Sequence, residues 1–188
     1  MLNINNWSEV KKHLHERLLS SEFCNNNFNL LVKVNASADV YRTWYVDLGD
    51  KLAPVTYPLL MAWNVSLDDI ISAAESNDKG TFSVVNMADV LGIPMCEVPM
   101  YIVTNEKGMF GSVGILHPEV QKELNNIFAD GYVVLCSSIH EVIVVGGDMN
   151  PHDLASMVHS INRSVVNEED RLSDHVFRIE DSKLSVLV

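Results

Sequence analysis

Gly131-Tyr132-Val133-Val134-Leu135-Cys136-Ser137-Ser138-Ile139-His140-Glu141-Val142-Ile143-Val144-Val145 decides how the chain is read. Two apolar runs rich in β-branched residues flank a short polar insert, Ser137-Ser138-Ile139-His140-Glu141. Short apolar runs bounded by turn residues suit buried strands. The brief link between them makes the pair antiparallel. The insert gathers two hydroxyls, an imidazole and a carboxylate between two strands that can hold them still.

Outward from this hairpin, Gly131 stops a helix opened by Pro118, whose apolar face is Val120, Leu124, Ile127 and Phe128. Met100-Tyr101-Ile102-Val103 reads as a strand, Asn105-Glu106-Lys107-Gly108 as a turn, and Gly111 to Leu116 as a second strand. On the other side, Asn150-Pro151 opens a helix with Leu154, Met157, Val158, Ile161 and Val165 on one face. Val176 to Ile179 and Leu184 to Leu187 close as short strands about Asp181-Ser182. The second half is therefore expected to run β-β-α-β-β-α, an antiparallel sheet built from hairpins with helices packed on it, and the fold class is α+β.

The first half is less regular. Asn6 can cap a helix over Trp7 to Leu19, with Glu9 as reciprocal acid and Trp7, Val10, Leu14 and Leu18 at helical spacing. His13 and His15 then point to different sides of its surface. Asn25-Asn26-Asn27 reads as a loop. Leu30 to Val34 and Tyr41 to Leu48 form a hairpin about Asn35–Asp39. Pro58 opens a helical turn through Trp63, Ser66-Leu67-Asp68-Asp69 caps a helix, and a short helix is expected over Val84 to Leu91. A chain of 188 residues fits one domain, 1–188. A subdivision into a helical and hairpin part, 1–95, and a β-rich core, 96–188, stays open.

Hydrophobic residues make up 47% and charged residues 20%, and the net charge is −12. Such a chain can bury a core. It lacks the cationic surface that displaces counterions from nucleic acid, so direct nucleic-acid binding is not expected, whereas a basic protein partner is admissible. Tyr41, Trp44 and Tyr45 have only Arg42 beside them and read as packing residues, not a base-stacking platform. Cys24, Cys96 and Cys136 are odd in number with no CxxC pair, a pattern of reducing compartments, and Cys136 reads as a buried thiol. The first residues lack the regions of a signal peptide, and no apolar run is long enough to cross a membrane. A cytoplasmic protein is expected.

Candidate chemistry concentrates in the insert. Ser138, His140 and Glu141 supply the parts of a nucleophile, base and orienting acid. They are neighbours in sequence, so in an extended strand His140 and Glu141 would diverge, and no nucleophile elbow is present. A catalytic role would need a third group such as His117 or His175. The competing reading is a structured turn in which Ser hydroxyls satisfy backbone amides and His140 bonds locally. Between these lies a contact role for Ser137, Ser138, His140 and Glu141 toward a ligand or partner. No metal motif exists: Val144 stands where a zincin would have its second His, and His152 and His159 are two helical turns, about 10 Å, apart. Gly111-x-x-Gly114 and Gly146-Gly147 fit no phosphate-loop pattern. Neither metal nor cofactor is expected.

Three blocks occur in order: Met100-Tyr101-Ile102-Val103-Thr104-Asn105, Leu135-Cys136-Ser137-Ser138-Ile139-His140-Glu141-Val142 and Leu172-Ser173-Asp174-His175-Val176-Phe177. Together they resemble an uncharacterised bacterial family, a domain of unknown function common in gut anaerobes and seen on their mobile elements. Leu60 to Ser66 and Met157 to Asn162 resemble two further segments of it, so the likeness covers roughly residues 41 to 180. Cys136 replaces a usual proline and Asn64 a usual glycine, and the chain resembles a shortened member. The resemblance implies no catalytic residues. The expected function is a non-enzymatic, acidic protein-binding module, with a phage or mobile-element accessory or counter-defence role as its concrete form. The alternatives are a small-ligand binder or hydrolase using the Ser-Ser-Ile-His-Glu turn, and a self-assembling structural module, so homo-oligomerisation stays open.

Overall fold

The computed structural model describes residues 2–94, 98–180 and 182–188. Two antiparallel sheets and seven α-helices among these residues make an α+β fold. The chain opens with α1 (Trp7–Val10), a 3-10 turn (Lys11–His13), β1 (Leu14–Ser20), α2 (Ser21–Asn27), β2 (Lys33–Asn35), β3 (Val40–Asp47) and β4 (Leu52–Pro54). β3 organises the smaller sheet. β1 pairs along one side of it, from Leu14↔Val46 to Ser20↔Val40, while β2 and β4 share the other side.

Next come α3 (Tyr57–Trp63), α4 (Leu67–Asp78), β5 (Phe82–Asn86), α5 (Met87–Leu91) and β6 (Met100–Asn105). A 3-10 helix (Gly111–Leu116), α6 (Pro118–Ile127), β7 (Tyr132–Leu135), β8 (Val142–Gly146), α7 (Pro151–Ser164), a 3-10 turn (Glu168–Asp170), β9 (Val176–Glu180) and β10 (Lys183–Val186) complete the chain. The larger sheet has the order β10-β9-β7-β8-β6-β5. The hairpin expected over Gly131 to Val145 is its centre: Tyr132↔Gly146 to Leu135↔Ile143.

Side-chain packing explains why β7 is buried along its whole length. Val134 and Val144 face a cluster shared with Phe177 of β9, Leu124 of α6 and Leu18 and Tyr45 of the smaller sheet. Val133, Leu135 and Val145 face Leu154 and Val158 of α7. A strand covered on both faces needs apolar residues at successive positions, not alternate ones. The far face of the smaller sheet packs Leu14, Trp44 and Val46 against Trp63 of α3 and Ile70 and Ala74 of α4. One apolar cluster thus holds residues of both sheets. The 95/96 boundary of the subdivision lies outside the described residues.

Four elements differ from expectation. The helix over Trp7 to Leu19 stops at Val10, and Leu14 onward is strand. Leu14, Glu16 and Leu18 are all buried, with His15 and Arg17 between them only partly so; a buried carboxylate hides the alternation. Val84 lies in β5, and the helix begins only at Met87, capped by the Asn86 side chain on the Ala88 amide. Gly111 to Leu116 is a buried 3-10 helix, not a strand, because Phe110 turns into the left-handed region at φ 57°. The β-β-α-β-β-α order therefore lacks its second strand. The Asn25-Asn26-Asn27 run ends α2 instead of forming a loop. His15 is not a surface residue: it is largely buried and paired with Asp78. The Asp181 side of the last turn lies outside the described residues.

Other local signals hold. Asn6 caps α1 and bonds Glu9, and Ser66 and Asp69 form a reciprocal capping box at α4. Among the described residues no helix is long and apolar enough to cross a membrane. Cys24 and Cys136 are free and buried; Cys96 lies outside the described residues. Burial pushes both thiols above their ordinary values, and the thiolate is the reactive form. Alkylation of the folded protein, read by peptide mass spectrometry, will leave both unmodified until denaturant is added. Rapid labelling of Cys136 under native conditions would contradict this packing.

Candidate functional site

The two later sequence blocks lie side by side. Ser173 N donates to Cys136 O at 2.9 Å, Leu172 N to Ser137 O at 3.1 Å, and Ile139 N to Asp170 O at 2.9 Å. Ser138 and Arg171 form the bridge between these pairs. The Ser137–Glu141 insert is thus zipped to the segment that leads into β9. The first block joins from the other side: Thr104 Oγ1 donates to His140 O at 3.4 Å.

His140 sits inside this knot. Its Nδ1 accepts from Phe110 N at 3.3 Å, which leaves the ring proton on Nε2, facing Asp170 Oδ1 at 3.2 Å. Its ring stacks on Phe110 with centroids 5.8 Å apart. Ser138 Oγ accepts from His140 N at 3.0 Å, so the hydroxyl serves a backbone amide. Ser137 is buried, Ser138 and His140 are half-buried, and Glu141 is exposed. The imidazole is oriented by Asp170, not by Glu141. His117 lies beside Glu16, at 3.9 Å, and His175 beside Asp39; neither bonds His140. Among the described residues, no group of three or more His, Cys, Asp or Glu side chains is placed to hold a metal ion.

The third block lines a cleft of about 510 Å³. α2 forms one wall through Glu22 and Asn26, and the tip of the β2–β3 hairpin contributes Asp39. Glu168, residues 171–175 and Asn162 of α7 contribute further lining. Asp39 Oδ2 is the hub: Ser173 Oγ donates to it at 2.5 Å and His175 Nδ1 lies 2.9 Å away. Asn162 Nδ2 donates to Ser173 O at 2.9 Å and to Asp174 Oδ1 at 2.6 Å, and His159 Nδ1 lies 3.0 Å from the other Asp174 oxygen. Burial works to raise the Asp174 carboxyl, but the bonds from Asn162 and His159 outweigh it and hold the group below its ordinary value. Asp174 therefore carries its charge at neutral pH. Asn162 Oδ1 is buried without a hydrogen-bond partner.

This arrangement differs from a nucleophile–base pair. In such a pair one imidazole nitrogen takes the hydroxyl proton and the other faces the acid. Here Ser173 Oγ and Asp39 both lie nearest the same nitrogen, His175 Nδ1, at 3.3 Å and 2.9 Å. Among the described residues, the cleft is lined by the carboxylates of Glu22, Asp39, Glu168 and Asp174, the guanidinium of Arg171 and the imidazole of His175. Such a lining is able to form ion pairs and hydrogen bonds. Sequence reasoning did not find Asp39, Asn162 or Asp170 as site residues. Asp39 is 134 residues from Ser173 in sequence, and no spacing rule carries such a contact.

No curated protein and no solved structure matches the chain. The model of a family of unknown function (DUF5688) matches residues 1–179, and the chain belongs to that family.

Proposed function

We propose that the chain is a non-enzymatic binding module that holds a cationic segment of a protein partner in the cleft between α2, the Asp39 hairpin tip and residues 168–175. The observation that carries this reading is the cleft's charge: four carboxylates line it against one arginine and one histidine, in a chain of net charge −12. Like charges lining a concave surface raise the local concentration of an oppositely charged partner and speed its capture. Ser137 and Ser138 pair with Leu172 and Arg171 of the cleft lining, and His140, bonded to Asp170, and exposed Glu141 are offered as further contacts. Ser138 serves His140 N and Ser173 faces Asp39, which favours binding over hydrolysis. The bacterial, mobile-element setting that the three blocks resemble makes a host protein in the cytoplasm a fitting partner, with counter-defence as one form.

A nine-residue Arg/Gly peptide and its Glu/Gly counterpart, titrated into isotope-labelled protein and followed by NMR, test the site. The basic peptide will shift amides at Glu22, Asp39, Glu168 and His175, and the acidic one will not. Reversing two carboxylates, E22K with E168K, will weaken binding about tenfold or more, as expected for charges that steer and hold a partner. Shifts spread over the acidic start of α4, at Asp68 and Asp69, would mean bulk charge attraction and would remove the cleft from the argument.

A further inference from the structure

β1, β3 and β5 converge on a second pocket, which shares no lining residue with that cleft. It has a volume of about 190 Å³ and walls of His15, Tyr45, Phe82 and Phe110, with Asn105 and Lys107 at its edge. The His15 and Tyr45 rings lie 5.6 Å apart and those of Tyr45 and Phe110 5.2 Å apart. These walls come from four separate parts of the chain, so the fold assembles them, not local sequence.

His15 is held in one orientation. Its Nδ1 lies 2.6 Å from Asp78 Oδ1, while Asp78 Oδ2 accepts from Glu16 N at 2.9 Å. Asp78 is buried, at 6% exposure, so its charge must be met inside the protein. It is also the last residue of α4, where the helix dipole disfavours a negative charge. A buried carboxylate in that place is a poor choice for helix stability, and its effect is to fix the imidazole. In the neutral imidazole whose Nδ1–H is directed at Asp78, Nε2 is an acceptor; it has no partner among the described residues. Tyr45 stays neutral, since burial first and the charge of Asp78 second push its phenol up to about 12. Phe110, whose ring closes the pocket, has φ 57°, an uncommon conformation for a bulky residue that the surrounding structure must impose.

We infer that this pocket binds a small planar aromatic or heteroaromatic molecule that donates an N–H or O–H to His15 Nε2. Aromatic walls favour a flat ring in offset or edge contact. The volume suits one ring or a fused pair and falls short of the several hundred Å³ of pockets for larger ligands. The oriented His15 acceptor gives selectivity among the polar groups that line the pocket, because a ring without a donor leaves that acceptor desolvated and unpaired.

Indole and p-cresol, compared with N-methylindole and toluene, serve as probes in NMR titrations that observe the His15 imidazole nitrogens directly. Indole and p-cresol will bind saturably in the millimolar range and move the His15 Nε2 signal together with the rings of Tyr45 and Phe110. N-methylindole will bind about tenfold more weakly, the worth of one hydrogen bond. Asp78→Asn will shrink the difference between indole and N-methylindole while toluene binding persists. Equal binding of indole and N-methylindole by the unaltered protein would overturn the acceptor role. Absence of saturable shifts at these residues would overturn the pocket. Because the unaltered protein supplies both readings, a failure of the Asn variant to fold leaves the test intact.

Discussion

Glu16→Ala will lower the stability of the protein by about 3–5 kcal/mol, the usual cost of removing one partner of a buried ion pair. The Glu16 side chain is fully buried, and Arg42 grips both of its oxygens, Nε to Oε2 at 2.6 Å and Nη2 to Oε1 at 2.8 Å. Such a bidentate, charge-assisted pair is among the stronger polar contacts available to a protein. Burial alone would lower the Arg42 guanidinium, yet the bonds and charges of Glu16 and Glu75 hold it above its ordinary value. Without Glu16, the carboxylate left to Arg42 among the described residues is Glu75, whose side chain is 52% exposed. Urea unfolding, read as a shift in midpoint at constant slope, measures the loss. The double variant E16M with R42M will recover much of it, because well-packed apolar residues avoid the desolvation of both charges. A loss below about 1 kcal/mol for Glu16→Ala would place the pair with exposed ion pairs and contradict its burial.

The same residue explains where the sequence was hardest to read. Trp7, Val10, Leu14 and Leu18 recur at helical spacing, but Leu14 and Leu18 also fit a strand of period two if position 16 is interior. Glu16 is interior, and a carboxylate there conceals the pattern until its partner on β3 is known. His15 drew a surface reading for the same reason: its acid, Asp78, is 63 residues away. By contrast the central hairpin, the helices opened by Pro118 and Pro151 and the capping box at Ser66 depend on neighbours within a few positions, and all form as expected. Val84 and Val85 could have signalled β5, since β-branched residues favour strands. The likeness drawn over residues 41 to 180 pointed to an uncharacterised family, and a family of unknown function matches, from residue 1 to 179. Of the cleft, the lining residues that fell in family-like stretches were Asn162, at the end of the Met157–Asn162 segment, and those within the Leu172–Phe177 block. Asp39 enters it through tertiary packing alone.

Gly111→Ala will cost about 3 kcal/mol or more, at the upper end of over-packing effects. Its backbone has ordinary φ, so conformational freedom is not the reason for glycine. The reason is space: a Cβ at this position would lie 2.7 Å from Asn105 N, 2.7 Å from Thr104 Cα and 2.8 Å from His140 O. All three atoms are backbone, in β6 and in the central insert, and none can swing aside as a side chain would. Relief requires the Phe110–Ser112 segment to move as a whole. That motion breaks two bonds holding the insert, Phe110 N to His140 Nδ1 and the buried Ser112 Oγ to Ile139 O at 2.7 Å. The variant will therefore also shift the His140 ring resonances in the folded state. Gly114→Ala is the control. The three atoms nearest its Cβ would all belong to the Phe82 side chain, Cδ1 at 2.7 Å, and a ring can tilt, so the loss will be smaller. Equal losses in the two variants, measured by urea unfolding, would mean that close backbone approach is not what selects glycine at 111.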